Sequence, residues 1–415
     1  MSSGYADRLL NLPRYSELGN AAMKPGLRGV SHLLGAMGNP ERRFASVHIA
    51  GTNGKGSVAS QIAAIGQVAG YRIGLYTSPH LLHLSERIRL NGTPVPDAWM
   101  ENAVDRHGSL FKELQPSFFE AMTALGFLFF AESFVDLAVV ETGLGGRLDA
   151  TNILRPKLTV ITQIDMDHTQ TLGNSLTSIT SEKAGILKEN TPVLAATGRT
   201  ATQSIVQNIA RRLNASWIEP GKLINNSLHT PNHIYELPPN DRQPHEVSNA
   251  LLAARSAELL FPEIKYDPDL VLQGLSRVRE LTGLRARLEI LNQAPLTILD
   301  VAHNPAGIAA ALNRTPNNGN VFLLLSLMKD KDLPGIAHVL KAYPSLKIYV
   351  CELELRRVCP AADLSNLLRT KALNVVKMGS VPAMWSLVQA RASKDDTILI
   401  CGSHFLAEAF LRTCK

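Results

Sequence analysis

The chain has 415 residues, more than one core comfortably organises, so two domains are expected. Hydrophobic residues at 45% and charged residues at 19% exclude a disordered chain. A formal net charge of +6 suits polyanionic partners, yet no Lys/Arg block is long enough to grip nucleic acid.

The N-terminal MSSGYADRLLNLPRY lacks the basic start and apolar run of a signal peptide. FASVHIA (44–50) reads as a strand, 55–69 as a helix and YRIGLYT (71–77) as a strand. Residues 117–132 read as a helix. The apolar stretch ALGFLFFAESFVDLAVVE is broken by Glu132 and Asp136, so it reads as a buried helix running into a buried strand, not a membrane span. DLAVVE (136–141) and KLTVITQI (157–164) are strands nearly free of polar residues, as expected when helices cover both sheet faces. This alternation predicts an α/β fold with a doubly wound, mainly parallel sheet. Residues 214–245 are rich in Asn and Pro and read as loops with short antiparallel strands, followed by the helix EVSNALLAARSAELLF. The densest basic run, RVRELTGLRAR (Arg277, Arg279, Arg285, Arg287), stands open to two readings, a phosphate contact or a solvated face. A boundary is expected after Arg287, giving domains 1–287 and 288–415. Beyond it come strands at 296–302, 320–327, 346–353, 374–378 and 396–402, enough for a smaller Rossmann-like α/β domain. The four cysteines, Cys351, Cys359, Cys401 and Cys414, form no CxxC pair; a disulfide framework or zinc site is not expected, and a reducing cytoplasm fits.

The first motif with chemistry in it is VHIAGTNGKGSVAS (47–60). A strand precedes it and a helix follows. Gly51, Gly54 and Gly56 allow a sharp turn and close approach to an anion; the loop amides, the helix N-terminus and Lys55 supply positive charge. Thr52, Asn53, Gly54, Lys55, Gly56 and Ser57 are therefore candidate nucleotide-phosphate contacts. With no Asn-Lys-x-Asp base reader in the chain, ATP is preferred over GTP. Gly56 stands where phosphate loops usually carry a Ser or Thr for Mg²⁺. Ser57 is one substitute. Ser78 (YTSPH), Glu141 (VVETGLGG) and His168 (IDMDHTQTLG) are others, all just past or at predicted strand ends, where ligands bind in open α/β sheets. Each has a plainer reading: a turn at Ser78-Pro79, pairing of Glu141 with Arg147, a structural His168.

HIAGTNGKGS, YTSPHL, ETGLGGRLDATN, DHTQTLG, SEKAGILK and DVAHNP occur in this order across residues 48–305, with DKD (330–332) and CGS (401–403) beyond. In these motifs the chain resembles the folylpolyglutamate synthase/dihydrofolate synthase family, a branch of the Mur ligase superfamily, and its RLDATN wording resembles bifunctional bacterial members. The resemblance implies ATP-dependent amide formation: an acyl phosphate is made on dihydropteroate or on the tail of a reduced folate, and L-glutamate attacks it. It implies ATP and two Mg²⁺ ions, with Ser78, Glu141, His168 and Lys183 as metal ligands, Lys183 after carbamylation by CO₂. The plainer reading of Lys183 is a surface lysine. Lys55, His168, Lys183 and His303 are the implied catalytic residues. Asn249, Arg287 and Asp300 join the ATP contacts. Phe118, Phe119, Glu120, Leu148, Asp149 and Ala150 border the pterin and aminobenzoyl groups, with residues 11–13 as a further contact.

Core packing is the plainer reading for Phe118 and Phe119, helix capping for Asp300, and a helix-face polar residue for Asn249. Two departures from the family pattern stand out. Glu246 occupies a position where members often carry Gln, and the usual Pro-Gly-Arg reads LTGLRAR, leaving Arg285 open beside Arg287. Small molecules are the expected partners, without nucleic acid or membrane, and a monomer is expected. A cell-wall Mur ligase and a non-ligase ATP-binding regulator are the alternatives.

Overall fold

The structure is a computed structural model that describes residues 4–14, 26–237, 243–316 and 319–414. The chain divides into two compact units, Met1–Leu284 and Arg285–Lys415.

The first unit is built on an eight-stranded sheet. Its strands are β1 (Ala45–Ala50), β2 (Ile73–Tyr76), β3 (Ile88–Leu90), β4 (Thr93–Pro94), β5 (Leu137–Glu141), β6 (Leu158–Ile161), β7 (Val193–Ala195) and β8 (Trp217–Ile218). The order is β4-β3-β2-β5-β1-β6-β7-β8. β2 and β5–β8 run parallel to β1, and β3 and β4 close one edge as an antiparallel pair. β1 pairs with β5 on one side and β6 on the other, Ile49 opposite Glu141 and Ala50 opposite Ile161. The carboxyl ends of these three strands thus share one edge, at a place where the strand order reverses and a crevice opens.

Both faces of the sheet are covered, which is why its central strands read as continuous apolar runs. Val47 and Ile49, with Ile73, Leu75, Leu137 and Val139, pack against the helices Lys55–Val68 and Pro244–Leu260. Tyr76, Ala138 and Val140 pack against Arg28–Ala36, Asp97–Leu114 and Phe118–Glu132. Each fully buried Leu, Ile or Val contributes roughly 1.5–3 kcal/mol here. The helix Phe118–Glu132 is apolar nearly all round because it is buried nearly all round; Ser117 and Glu120 start it with a reciprocal capping box.

The Asn/Pro-rich region holds β9 (Lys222–Ile224), β10 (Ser227–His229) and β11 (Ile234–Glu236), a small antiparallel sheet. Residues 238–242 of that region lie outside the described residues. The second unit has β12 (Glu289–Gln293), β13 (Leu296–Leu299), β14 (Val321–Leu325), β15 (Leu346–Glu352), β16 (Val375–Ser380) and β17 (Thr397–Cys401). Their order is β12-β13-β17-β14-β15-β16, parallel apart from β12. Ile298, Leu323, Ile348 and Leu399 bury against the helices Pro305–Leu312, Leu333–Leu340 and Ala361–Thr370. Among the described residues no helix is long and apolar enough to cross a membrane.

Candidate active site

The loop Gly51–Gly54 joins β1 to the helix Lys55–Val68, at the point where the strand order reverses. Gly54 is the N-cap residue, at φ 88° and with no side-chain capping bond. The helix therefore begins without the side-chain oxygen that usually satisfies its first amides, which leaves that role to an anionic ligand. A Cβ at Gly54 would collide with Oδ1 of the buried Asn249, and one at Gly51 with the Thr162 side chain. Not every loop amide points outward: Thr52 N and Asn53 N donate to the Gln163 carbonyl at 2.7 and 3.3 Å. The Thr52 hydroxyl donates to the Asp165 carbonyl at 3.0 Å and accepts from Asp165 N. Asn53 reaches the Asp165 carboxylate at 3.4 Å, and Gln163 and Arg199 also hold it.

Two lysines meet at this loop. Lys55 Nζ donates to the carbonyls of Gly51 and Thr52 at 3.1 and 3.2 Å. Lys183 Nζ donates to the same Gly51 carbonyl at 2.7 Å, and Lys183 is 4% exposed. The surface-lysine reading of Lys183 is thereby overturned: it is a buried amine beside the phosphate loop.

Glu141 ends β5, buried, and accepts from Ser78 N at 3.1 Å, so two of the candidate metal ligands share a corner. It does not pair with Arg147, whose guanidinium is bound to Glu182 at 2.8 Å. His168 is at φ 50°, immediately before the helical turn Thr169–Leu172, and its Nε2 lies 3.7 Å from an oxygen of Asp167. Next to Glu141 the Thr142 hydroxyl oxygen is buried with no hydrogen-bond partner among the described residues. That oxygen and Glu141 are hard donors of the kind Mg²⁺ takes, so the corner fits the ion. Among the described residues no three His, Cys, Asp or Glu side chains form a cage. An ion here would complete its shell from hydroxyls, phosphate oxygens and water.

The substrate candidates lie on the other side of β5. Phe118 belongs to the core, as its plainer reading had it, while Phe119 is half-buried against Gly143 and 6.2 Å from the Tyr76 ring. The Glu120 carboxylate accepts from Ser117 N and Oγ, both at 2.8 Å, so it serves its own helix start. Leu148 is exposed and Ala150 buried. Asp149 accepts from Leu144 N at 2.8 Å and from Thr151 N at 3.0 Å. Burial pushes its carboxyl up, against the hydrogen bonds that pull it down.

In the second unit Asp300 follows β13 and accepts from Leu288 N and Ala302 N, both at 2.7 Å. The helix after it is capped by Asn304, not by Asp300. His303 Nδ1 lies 2.9 Å from the Val301 carbonyl oxygen, and its ring is 6.0 Å from that of His404. Arg285 is engaged with Glu289 at 2.6 Å, while Arg287 contacts the Ala286 carbonyl at 3.3 Å. Glu246 caps its own helix, accepting from Gln243 N at 2.8 Å.

A curated dihydrofolate synthase/folylpolyglutamate synthase of Bacillus subtilis is 32% identical over 414 residues, covering 93% of this chain and 94% of the relative. This chain belongs to that family. The Mur ligase, glutamate ligase domain model matches residues 286–404. E. coli FolC in complex with DHPP and ADP superimposes with a TM-score of 0.86 at 28% identity, covering 99% of this chain and 97% of that one. A bifunctional folylpolyglutamate synthase/dihydrofolate synthase with Mn, AMPPNP and L-glutamate bound gives 0.85 at 28% identity, with coverage of 99% and 98%. Like the other members of the dihydrofolate synthase/folylpolyglutamate synthase family, the chain is an ATP-dependent acid–amino-acid ligase. The cell-wall ligase and regulatory readings fall away with that membership.

Sequence reasoning missed Thr142, Thr162, Gln163 and Asp165. The signal was present in part: TQID follows β6 directly, at the same sheet edge as the phosphate loop.

Proposed function

We propose that the chain phosphorylates the free carboxylate of dihydropteroate, or of the glutamate tail of a reduced folate, and joins it to the amino group of L-glutamate. The observation that carries this reading is the meeting of Lys55 and Lys183 at the Gly51 carbonyl, at the mouth of a helix without a side-chain cap. A carboxylate is a poor electrophile. Its oxygen attacks the γ-phosphorus of ATP, ADP leaves, and an acyl phosphate results. The glutamate nitrogen then attacks the acyl carbon, loses a proton, and phosphate departs. No enzyme nucleophile is required, so the protein's part is positioning and charge neutralisation.

Lys55 and the first amides of Lys55–Val68 neutralise the transferring phosphoryl group. Ser78, Glu141 and His168 hold divalent metal, and Thr142 is placed to join them. Bound there, Mg²⁺ withdraws charge from the phosphate oxygens. Addition of CO₂ to the neutral amine of the buried Lys183, with release of a proton, would give a carbamate able to hold a second ion. Asn249 takes the adenine side, with Arg287 and Asp300 as further ATP contacts and His303 at the reacting groups. Phe118, Phe119, Leu148, Asp149 and Ala150 border the pterin and aminobenzoyl groups, and Glu120 supports them by starting the helix that carries the two phenylalanines.

The test supplies MgATP and L-glutamate with either dihydropteroate or tetrahydrofolate and follows the glutamylated product by mass. The expected result is an added glutamyl residue with one ADP released per amide formed. ADP release that needs neither pterin substrate overturns the reading.

A further inference from the structure

Arg87 ends the short helix Leu84–Arg87 that leads into β3, and it is 8% exposed. Its Nε donates to His80 Nδ1 at 2.9 Å, which places the proton of a neutral His80 on Nε2. Its guanidinium carbon lies 5.2 Å from the centre of the Phe118 ring. Among the described residues it makes no ion pair. The acidic groups that face it are occupied elsewhere. Glu86 accepts from the amides of Leu81, Leu82 and His83 at 2.9–3.1 Å, and Glu141 accepts from Ser78 N in the metal corner. Tyr76, the remaining titratable neighbour, is buried and held neutral.

A buried guanidinium without a carboxylate is an expensive arrangement, and an incoming anion offsets the cost. With its Nε committed to His80, the guanidinium keeps its terminal N–H groups for one oxygen of a carboxylate, over the Phe118 ring. We infer that Arg87 receives the carboxylate of the acceptor substrate, an aryl or glutamyl carboxylate, and presents it to the phosphate loop. This rests on the ligase reading above and names the residue that selects the acid to be activated. A donor on one carboxylate oxygen leaves the other free to attack phosphorus, and the same donor faces the oxyanion that forms when glutamate adds.

The experiment measures calorimetric binding of dihydropteroate and of its analogue lacking the carboxylate, a dihydropterin bearing a plain anilinomethyl group. Wild type, Arg87→Met and Arg87→Lys are compared, with MgATP binding measured in each. Wild type is expected to prefer the carboxylate by about 10- to 100-fold, as for a hydrogen bond to a charged partner. Arg87→Met loses that preference while the analogue and MgATP bind as before. Arg87→Lys, which keeps the cation and loses the fork, retains part of it. Equal loss for acid and analogue, an unchanged preference, or a loss confined to MgATP overturns the proposal. If Arg87→Met does not fold, the Lys variant decides by the same comparison. Wild type that binds neither dihydropteroate nor its analogue removes the proposed acceptor substrate itself, which is a separate outcome.

Discussion

Lys55 and Lys183, far apart in the chain, place their amino nitrogens on one carbonyl oxygen, that of Gly51, at 3.1 and 2.7 Å. Two amines on one acceptor in a buried setting repel each other when both are charged. Carbamylation of Lys183 would relieve that repulsion and exchange a cation for an anion. Lys183→Ala is therefore expected to lose most activity. Wild type prepared in CO₂-free buffer should lose activity in parallel and regain it with bicarbonate. Full activity of Lys183→Ala, or indifference to bicarbonate, dismisses the carbamate. Lys55→Ala should lower kcat/KM by about 100-fold or more whatever the bicarbonate level, the cost of removing a charge from the transferring phosphoryl group.

Gly54 is at φ 88° with Asn249 where a Cβ would stand. Gly54→Ala should cost about 1–2 kcal/mol of stability from the left-handed backbone alone. Displacing Asn249 and the helix start should also weaken nucleotide binding by 10-fold or more, on the order of 1.4 kcal/mol. Urea unfolding and ATP titration read the two effects apart, and a variant that binds ATP normally would show that the helix mouth is not the phosphate site.

His48 lies in the middle of β1, fully buried, with Nε2 2.8 Å from the Thr151 hydroxyl. Burial, helped by the nearby Lys188 charge, lowers its pKa from 6.5 to about 3. The unfolded chain takes up a proton near pH 6.5 that the native state refuses until about pH 3. Stability from this residue is thus complete above pH 6.5 and falls as the pH drops towards 3, by a few kcal/mol in order of magnitude. His48→Gln keeps an N–H for Thr151 and cannot titrate. Unfolding of wild type and variant at pH 5 and pH 7.5 should show the wild type losing more on acidification; equal losses would reject the assignment.

Ala286 is fully buried at φ 53°, a backbone region where an alanine is strained and glycine is not. Glycine adopts this backbone region freely, so the strain at Ala286 belongs to its side chain. Ala286→Gly should raise stability by about 0.5–1 kcal/mol, the relief of strain outweighing the added freedom of the unfolded chain. Denaturant midpoints check it; a drop would reject the strain.

Much of the fold was legible because each central strand is a short apolar run between turn residues. The expected strands at 44–50, 136–141 and 346–353 became Ala45–Ala50, Leu137–Glu141 and Leu346–Glu352. The edge pair β3–β4 was missed, since an edge strand buries little and carries no apolar run, and β8, inside the stretch read as short antiparallel strands, pairs parallel to β7 instead. The helices Asp97–Leu114 and Thr200–Arg212 were also missed, their apolar positions being diluted on one face.

What the residues alone determined was the phosphate loop, the order of the motifs and the alternation that demands a parallel sheet, because these depend on spacing along the chain. Only the tertiary structure decided that Lys183 is buried on Gly51, that Asp165 binds the loop, that Arg147 turns to Glu182, and that Arg87 stacks on Phe118. Those partners are 31 to 132 positions apart, too far for local periodicity to bring together. They meet because strand order sets β1 between β5 and β6, and hydrogen-bonded register, not sequence distance, sets which side chains share an edge.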